Sequence, residues 1–267
     1  MDKGEALVAE AFPLLNRLVR RDRKFDTEYF NSLITAQQFR YPYAEIDRLF
    51  EIPGSLLDWG CGRGHLSYYL LTRGYRVSSF SIQPRPVLFD ALTQDMASRH
   101  EFLSGSEDEP TALPYPDDRF DGVISCGVLE HVRESGGTEA GSLAEIRRIL
   151  KPGGYFLCSA FPNRFSVQQI AATLIFGLKY RKIPYTVKYH KYRYSRQDVF
   201  TLARAAGLEM VGCRYYGMLP RNSFAMLPPR VRNSSRVSWL YNRIDMLLEL
   251  GAPVFCTSHL FVLRRPA

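Results

Sequence analysis

Residues 55–65, Ser55-Leu56-Leu57-Asp58-Trp59-Gly60-Cys61-Gly62-Arg63-Gly64-His65, constrain this chain more than any other stretch. An apolar run ends in Asp58, three glycines follow at alternate positions, and a helical spacing of Leu66, Tyr69 and Leu70 comes next. That order reads as strand, tight turn, helix. Glycines suit such a turn because positive φ and the missing Cβ let bare backbone N–H groups approach a ligand at a helix N-terminus. A Walker phosphate loop is excluded, since His65 stands where its second glycine must be. A dinucleotide fingerprint also needs glycine there, and an acid roughly 20 residues further on; both are lacking.

A second informative stretch runs from Leu113 to Val132 and contains Leu113-Pro114-Tyr115-Pro116-Asp117, then Phe120-Asp121-Gly122-Val123, then Leu129-Glu130-His131. A helix over Ala144 to Leu150 follows, stopped by Lys151-Pro152-Gly153-Gly154, and Tyr155 to Ala160 reads as a strand. Taken in order, these segments resemble the class I S-adenosylmethionine-dependent methyltransferases of the small-molecule, methyltransferase-11-like type. The acid, the alternating glycines, L-P-[FY]-x-D-x-x-F-D-x-[VI] and the Glu-His that follows carry the likeness.

The resemblance implies an α/β fold: a Rossmann-like seven-stranded mainly parallel sheet with helices on both faces, N-terminal helices and C-terminal lid insertions. It implies S-adenosyl-L-methionine as cofactor and no metal. It places Asp58, Gly60, Cys61, Gly62 and Gly64 around the cofactor, Ser81 at its ribose, Glu107 or Asp108 at its adenine and Cys126 beside its methionine part. Ser81 departs from the family, which usually has an acid there; a serine cannot offer a charged bidentate pair. Where the acceptor is a hydroxyl, a base must take its proton, and His131 or His190 would serve. A packed or capping role for His131, and a plain turn role for Asp58, stay open.

Organisation is expected to be one domain over residues 1–267. Residues 1–50 form a helical cap with apolar stripes at Leu14, Leu15, Leu18, Val19 and at Tyr29, Phe30, Leu33, Ile34, the second entered through an N-cap at Asp26 or Thr27. Residues 51–160 form the cofactor core, with strands at Tyr75–Ser81 and His100–Leu103 and a helix from Pro86 to about Met96. Ser195 with Asp198 reads as a capping box, Leu208–Tyr216 and Ser258–Leu263 as the last strands, the final one antiparallel. Residues 161–194 and 217–252 are substrate or lid insertions, the first holding an apolar helix over Ile170–Leu178 and a basic, aromatic run from Lys188 to Tyr194.

Charge is uneven: residues 1–163 hold 18 Lys/Arg and 23 Asp/Glu, whereas residues 164–267 hold 17 and 4, or −5 against +13. Such a field attracts an anionic acceptor, a lipid headgroup surface or nucleic acid. Five scattered cysteines without C-x-x-C spacing argue for reduced thiols in a cytoplasmic protein, and the lack of an apolar run near the roughly 20 residues of a membrane span leads to the expectation of a soluble or membrane-peripheral one. The leading expectation is methyl transfer to a small-molecule, glycan or lipid-linked acceptor. Its rivals are nucleic-acid methylation, disfavoured by the absence of an N-P-P-[YF] motif, and a non-catalytic methyltransferase-like binding protein, suggested by Ser81.

Overall fold

The computed structural model describes residues 2–21, 25, 29–106, 108–171, 174 and 192–267. Its strands are β1 (Ser55–Trp59), β2 (Arg76–Ser81), β3 (His100–Ser104), β4 (Phe120–Cys126), β5 (Leu150–Pro162), β6 (Glu209–Tyr216) and β7 (Ser258–Arg264). They form one seven-stranded sheet in the order β3-β2-β1-β4-β5-β7-β6. Neighbours from β3 to β5 are parallel; β7 runs antiparallel to both β5 and β6. The expected α/β, mainly parallel fold is therefore present.

Strands buried on both faces explain the continuous apolar runs. Along β1, Leu56 joins a core shared with Leu15, Phe39, Tyr43 and Leu70, while the next residue, Leu57, joins a core shared with Leu143, Ile146 and Val199. The alternation of successive side chains across a sheet makes both residues fully buried. The first face is covered by α1 (Lys3–Arg21), α3 (Arg40–Leu49) and α4 (His65–Thr72), the second by α6 (Glu139–Ile149) and α7 (Arg196–Ala205). Helix α7 opens with the capping box Ser195/Asp198 anticipated from sequence.

Several boundaries differ. The helix expected over Pro86–Met96 is a 3₁₀ turn at Val87–Ala91 and a short α5 (Gln94–Ser98), because Leu92 and Thr93 are extended and break the run. Lys151-Pro152-Gly153-Gly154 does not stop α6; Leu150 already turns extended there, and the four residues form an irregularity within β5, with Gly153 at φ 79°. The N-cap of the second N-terminal segment, α2 (Leu33–Ala36), is Ser32; Asp26 and Thr27 lie outside the described residues, as does most of the apolar helix expected over Ile170–Leu178. Residues 217–252, expected to be a substrate or lid insertion, contain a short α8 (Pro229–Arg232) and the long α9 (Ser235–Gly251).

Helix α9 is clamped to the N-terminal segments by buried charge. Arg40 Nη2 donates to Asp245 and Glu249, both at 2.9 Å, and Arg221 Nη2 donates to Asp245 at 2.7 Å. Asp245 also accepts the amides of Met218 and Leu219, and Glu249 that of Gly217. These amides belong to the loop leaving β6. Since β6 runs parallel to β1, β4 and β5 through its antiparallel pairing with β7, α9 lies at the carboxyl end of the sheet.

Candidate active site

At that carboxyl end the β1–α4 turn bends through three left-handed glycines, Gly60 (φ 74°), Gly62 (φ 50°) and Gly64 (φ 82°). They are glycines for different reasons. A Cβ on Gly60 would lie 2.3 Å from Val128 Cγ2, and one on Gly64 would lie 2.6 Å from the Phe89 ring. Gly60 and Gly64 thus permit internal packing. A Cβ on Gly62 would meet only the Gly60 carbonyl oxygen, at 3.9 Å, so Gly62 alone turns its bare face to open space. The amides of Gly60 and Cys61 are spent on the Phe80 carbonyl at the end of β2 (2.8 and 3.0 Å), and that of Gly64 on the Cys61 carbonyl.

Two hollows share Gly60, Gly62 and Gly127. The larger, about 370 Å³, has apolar walls that include Ile82, Pro110 and Val128, with Ser81, Gln83 and His131 among its polar residues. The smaller, about 210 Å³, is bordered by Tyr29, Asp58, Arg63, His65 and Cys126. A hollow with apolar walls joined across a bare glycine to a compartment bordered by a carboxylate suits the polarity of an adenosine with a charged amino-acid tail.

Asp58, at the end of β1, is almost wholly buried and accepts the Ser67 hydroxyl at 2.5 Å. The Ser67 backbone amide is a second donor, so Asp58 also secures the first turn of α4. Ser67 in turn accepts Ser79 Oγ at 2.7 Å, which ties β1, α4 and β2 together. Burial pushes Asp58 up to about 6 against the lowering effect of Ser67. Both readings of Asp58, turn acid and site acid, are compatible with this geometry.

Ser81 borders the larger hollow, and its Oγ accepts the Gln83 amide at 3.0 Å. Asp108 is exposed, its own amide bonded to Ser106 Oγ at 3.1 Å, and the hollow is walled on that side by Pro110. Glu107 and His190 lie outside the described residues. Cys126 borders the smaller hollow with its thiol pushed up to about 12 by burial; burial raises that of Cys61 as well, so both remain protonated thiols. His131 stands at the mouth of the larger hollow with Nδ1 3.0 Å from Glu134 Oε2.

Three residues at the site were not anticipated. His65 sits at the smaller hollow among the rings of Tyr29, Phe30 and Phe39, 4.7–5.7 Å between centroids, and among the described residues nothing hydrogen-bonds either ring nitrogen. Burial lowers it to about 4, so it is neutral near pH 7. Gln83 borders the larger hollow two residues past Ser81, and Glu130 is buried behind Gly127 with its carboxyl pushed up to about 8 by burial. Only Glu130 had a signal in the sequence, its place beside His131; His65 was noticed only for not being glycine.

Comparison with known proteins identifies a family for this fold. Residues 57–158 match the family described as methyltransferase domain. A ubiquinone biosynthesis O-methyltransferase of Cereibacter sphaeroides is 28% identical over 176 residues, covering 63% of this chain and 67% of that protein. A malonyl-[acyl-carrier protein] O-methyltransferase of Serratia marcescens is 33% identical over 108 residues, 40% of this chain and 38% of the other. Among solved structures, the Burkholderia thailandensis 1,6-didemethyltoxoflavin-N1-methyltransferase with bound 1,6-didemethyltoxoflavin and S-adenosylhomocysteine shares the fold, with TM-score 0.56 and 20% identity over 86% of this chain and 79% of that one. With the sheet order and the glycine turn, these matches show a class I S-adenosylmethionine-dependent methyltransferase domain in the chain, its family match lying over residues 57–158.

Proposed function

We propose that this methyltransferase acts on an oxygen nucleophile of a small-molecule acceptor, with His131 as the proton acceptor. The observation that carries the reading is the pair of hollows meeting at Gly62, with His131 at the mouth of one and Asp58 beside the other. S-adenosylmethionine supplies, when bound, an electrophilic methyl group on a sulfonium, so the chain's main tasks are alignment and exclusion of water. The slot between Ile82 and Val128 would take the adenine, Ser81 and Gln83 the ribose hydroxyls, and Asp58 would complement the positive charge of the amino-acid end. Glu134 at Nδ1 of His131 would orient the ring, and the imidazole would receive a hydroxyl proton as methyl transfer proceeds. Relatives named for O-methylation support oxygen as the acceptor atom. The +13 balance of residues 164–267 favours an acceptor with an anionic part.

The test is calorimetry with S-adenosylhomocysteine, followed by incubation of a panel of phenols, alcohols and carboxylates with labelled S-adenosylmethionine. Micromolar binding and a labelled methyl ether or ester are expected. His131→Gln should lower kcat by about 10²-fold with the S-adenosylhomocysteine affinity kept, in line with loss of a general base. Turnover of amines alone, or full activity in His131→Gln, would dismiss the oxygen reading.

A further inference from the structure

Helix α9 is built inside out. Its polar side chains Ser238, Asn242, Asp245 and Glu249 face inward, none more than 6% exposed, while Trp239, Leu240, Ile244, Leu247, Leu248 and Leu250 face outward at 40–72% exposure. A helix on the surface of a soluble domain normally turns its apolar stripe to the core. Here the core side is taken by the guanidiniums of Arg40 and Arg221, and the apolar stripe is left outside. The exposed surface continues past the helix with Val254 and Phe255. Asn163 Nδ2 donates to the carbonyls of Val254 and Cys256, both at 2.7 Å, and so brings the exposed Phe165 and Val167 to the same edge. Contiguous exposed apolar area of this kind marks a docking surface.

Charge identifies the occupant. Beyond Glu209 the only acids of the sequence are Asp245 and Glu249, and both are buried against arginine, whereas Arg230 and Arg236 are exposed at and beside the start of α9. The surface of this part of the chain therefore carries cations without anions. A second copy docked through the same face would bring no acidic side chain to these arginines, because a two-fold contact offers only the same patch again. A bilayer with anionic headgroups supplies both the apolar depth and the missing negative charge. Among the described residues no helix is long and apolar enough to cross a membrane, so the contact is one of lying on the surface.

We infer that the outer face of α9 docks this enzyme on the surface of an anionic lipid bilayer, with its aromatic and leucine side chains in the interface and Arg230 and Arg236 at the headgroups. The inference stands apart from the choice of acceptor. It sets the carboxyl end of the sheet, where the active-site hollows open, toward the same side as the membrane.

Vesicle co-sedimentation of the full chain tests it, with phosphatidylcholine alone and with phosphatidylglycerol mixed in. Wild type should sediment with the mixed vesicles, increasingly released by salt, and remain in solution with phosphatidylcholine alone. Leu240→Glu/Leu247→Glu should abolish sedimentation while keeping the melting temperature and the affinity for S-adenosylhomocysteine. Arg230→Ala/Arg236→Ala should weaken it about 25-fold, about fivefold for each arginine removed. The inference is overturned by wild type that ignores anionic vesicles, by equal binding to both vesicle types, or by a solution dimer that Leu240→Glu/Leu247→Glu dissociates.

Discussion

Asp58 and Asp245 are two aspartates buried to nearly the same degree, and their surroundings shift them in opposite directions. Around Asp58 the donors are the hydroxyl and amide of Ser67, and burial lifts its carboxyl to about 6. Burial would also raise Asp245, but the guanidiniums of Arg221 and Arg40 outweigh it and hold that carboxyl below the usual range. The first site leaves room for a ligand to supply positive charge. The second has its counter-charges built in and serves as a clamp between α9, Arg40 at the start of α3, and the loop after β6. Site and clamp are thus separated by who provides the cation.

The largest expected effect comes from opening the clamp. Asp245→Leu would leave Arg40 and Arg221 buried with one carboxylate fewer, and breaking a buried charge network in this way costs about 3–5 kcal/mol. Urea unfolding should show that loss. If the clamp is structural, the S-adenosylhomocysteine affinity measured below the unfolding transition stays within about twofold of wild type; a large fall would erase the distinction between the regions.

Asp58→Asn should act in the other direction on stability. A carboxyl held at about 6 instead of 3.8 makes the folded state bind more protons than the unfolded state between those values, so its stability contribution is present below about 3.8 and lost as pH rises through about 6. The asparagine removes that penalty, and the ligand-free variant should gain about 2 kcal/mol at pH 8. His65 has the reverse sign: its folded value of about 4 means stability is present above 6.5 and lost as pH falls through 4. In wild type the two slopes oppose each other between pH 4 and 6. In Asp58→Asn the His65 slope remains, and melting temperature should climb with pH across that window. Affinity for S-adenosylhomocysteine, whose ammonium favours the ionised carboxylate, should rise toward pH 6 in wild type and stay flat in the variant.

Smaller still is the effect of restoring the family's ribose acid. Ser81→Asp keeps an acceptor for the Gln83 amide and adds a second charged oxygen toward the slot. Affinity for S-adenosylhomocysteine should rise about tenfold, or about 1.4 kcal/mol, and 5′-methylthioadenosine, which lacks the amino-acid tail, should gain equally. The ligand-free melting temperature should fall, since the new carboxylate is buried without a cation. Unequal gains for the two ligands would move Ser81 away from the ribose.

The two regions were unequally legible in the sequence. The β1–α4 turn was readable because glycines at alternate positions after an acid leave few backbone solutions, and the sheet followed from apolar runs separated by turns. What could not be read was which glycine faced outward, since Gly60 and Gly64 owe their identity to Val128 and Phe89, residues far away in the chain. Helix α9 was missed for a different reason. Its 3.6-residue periodicity lies within a stretch that mixes prolines, arginines and Trp239, and periodicity does not say whether the polar or the apolar stripe points inward. That choice is made by Arg40 and Arg221, at a distance in sequence no local pattern reports. His65 was opaque on the same grounds: only the approach of Phe30 and Phe39 turns a helix-start histidine into a buried neutral one.

Between site and clamp lies Ala160, which has φ 60° although it is not glycine. It sits near the end of β5, where its amide donates to the Tyr216 hydroxyl at 2.7 Å and the preceding carbonyl, of Ser159, accepts the Gly127 amide at 3.1 Å. Tyr216 ends the strand that leads to the clamp loop, and Gly127 borders both hollows. An alanine in the left-handed region costs about 1–2 kcal/mol, and glycine would relieve this while adding about 0.5–1 kcal/mol of unfolded-state entropy. Ala160→Gly should therefore raise stability by less than about 1 kcal/mol in urea unfolding. If Ala160 is only the joint between two independent regions, affinity for S-adenosylhomocysteine will not change. If the held backbone keeps Gly127 in place for the ligand, affinity will fall although stability rises, and the clamp will have to be counted as part of the site.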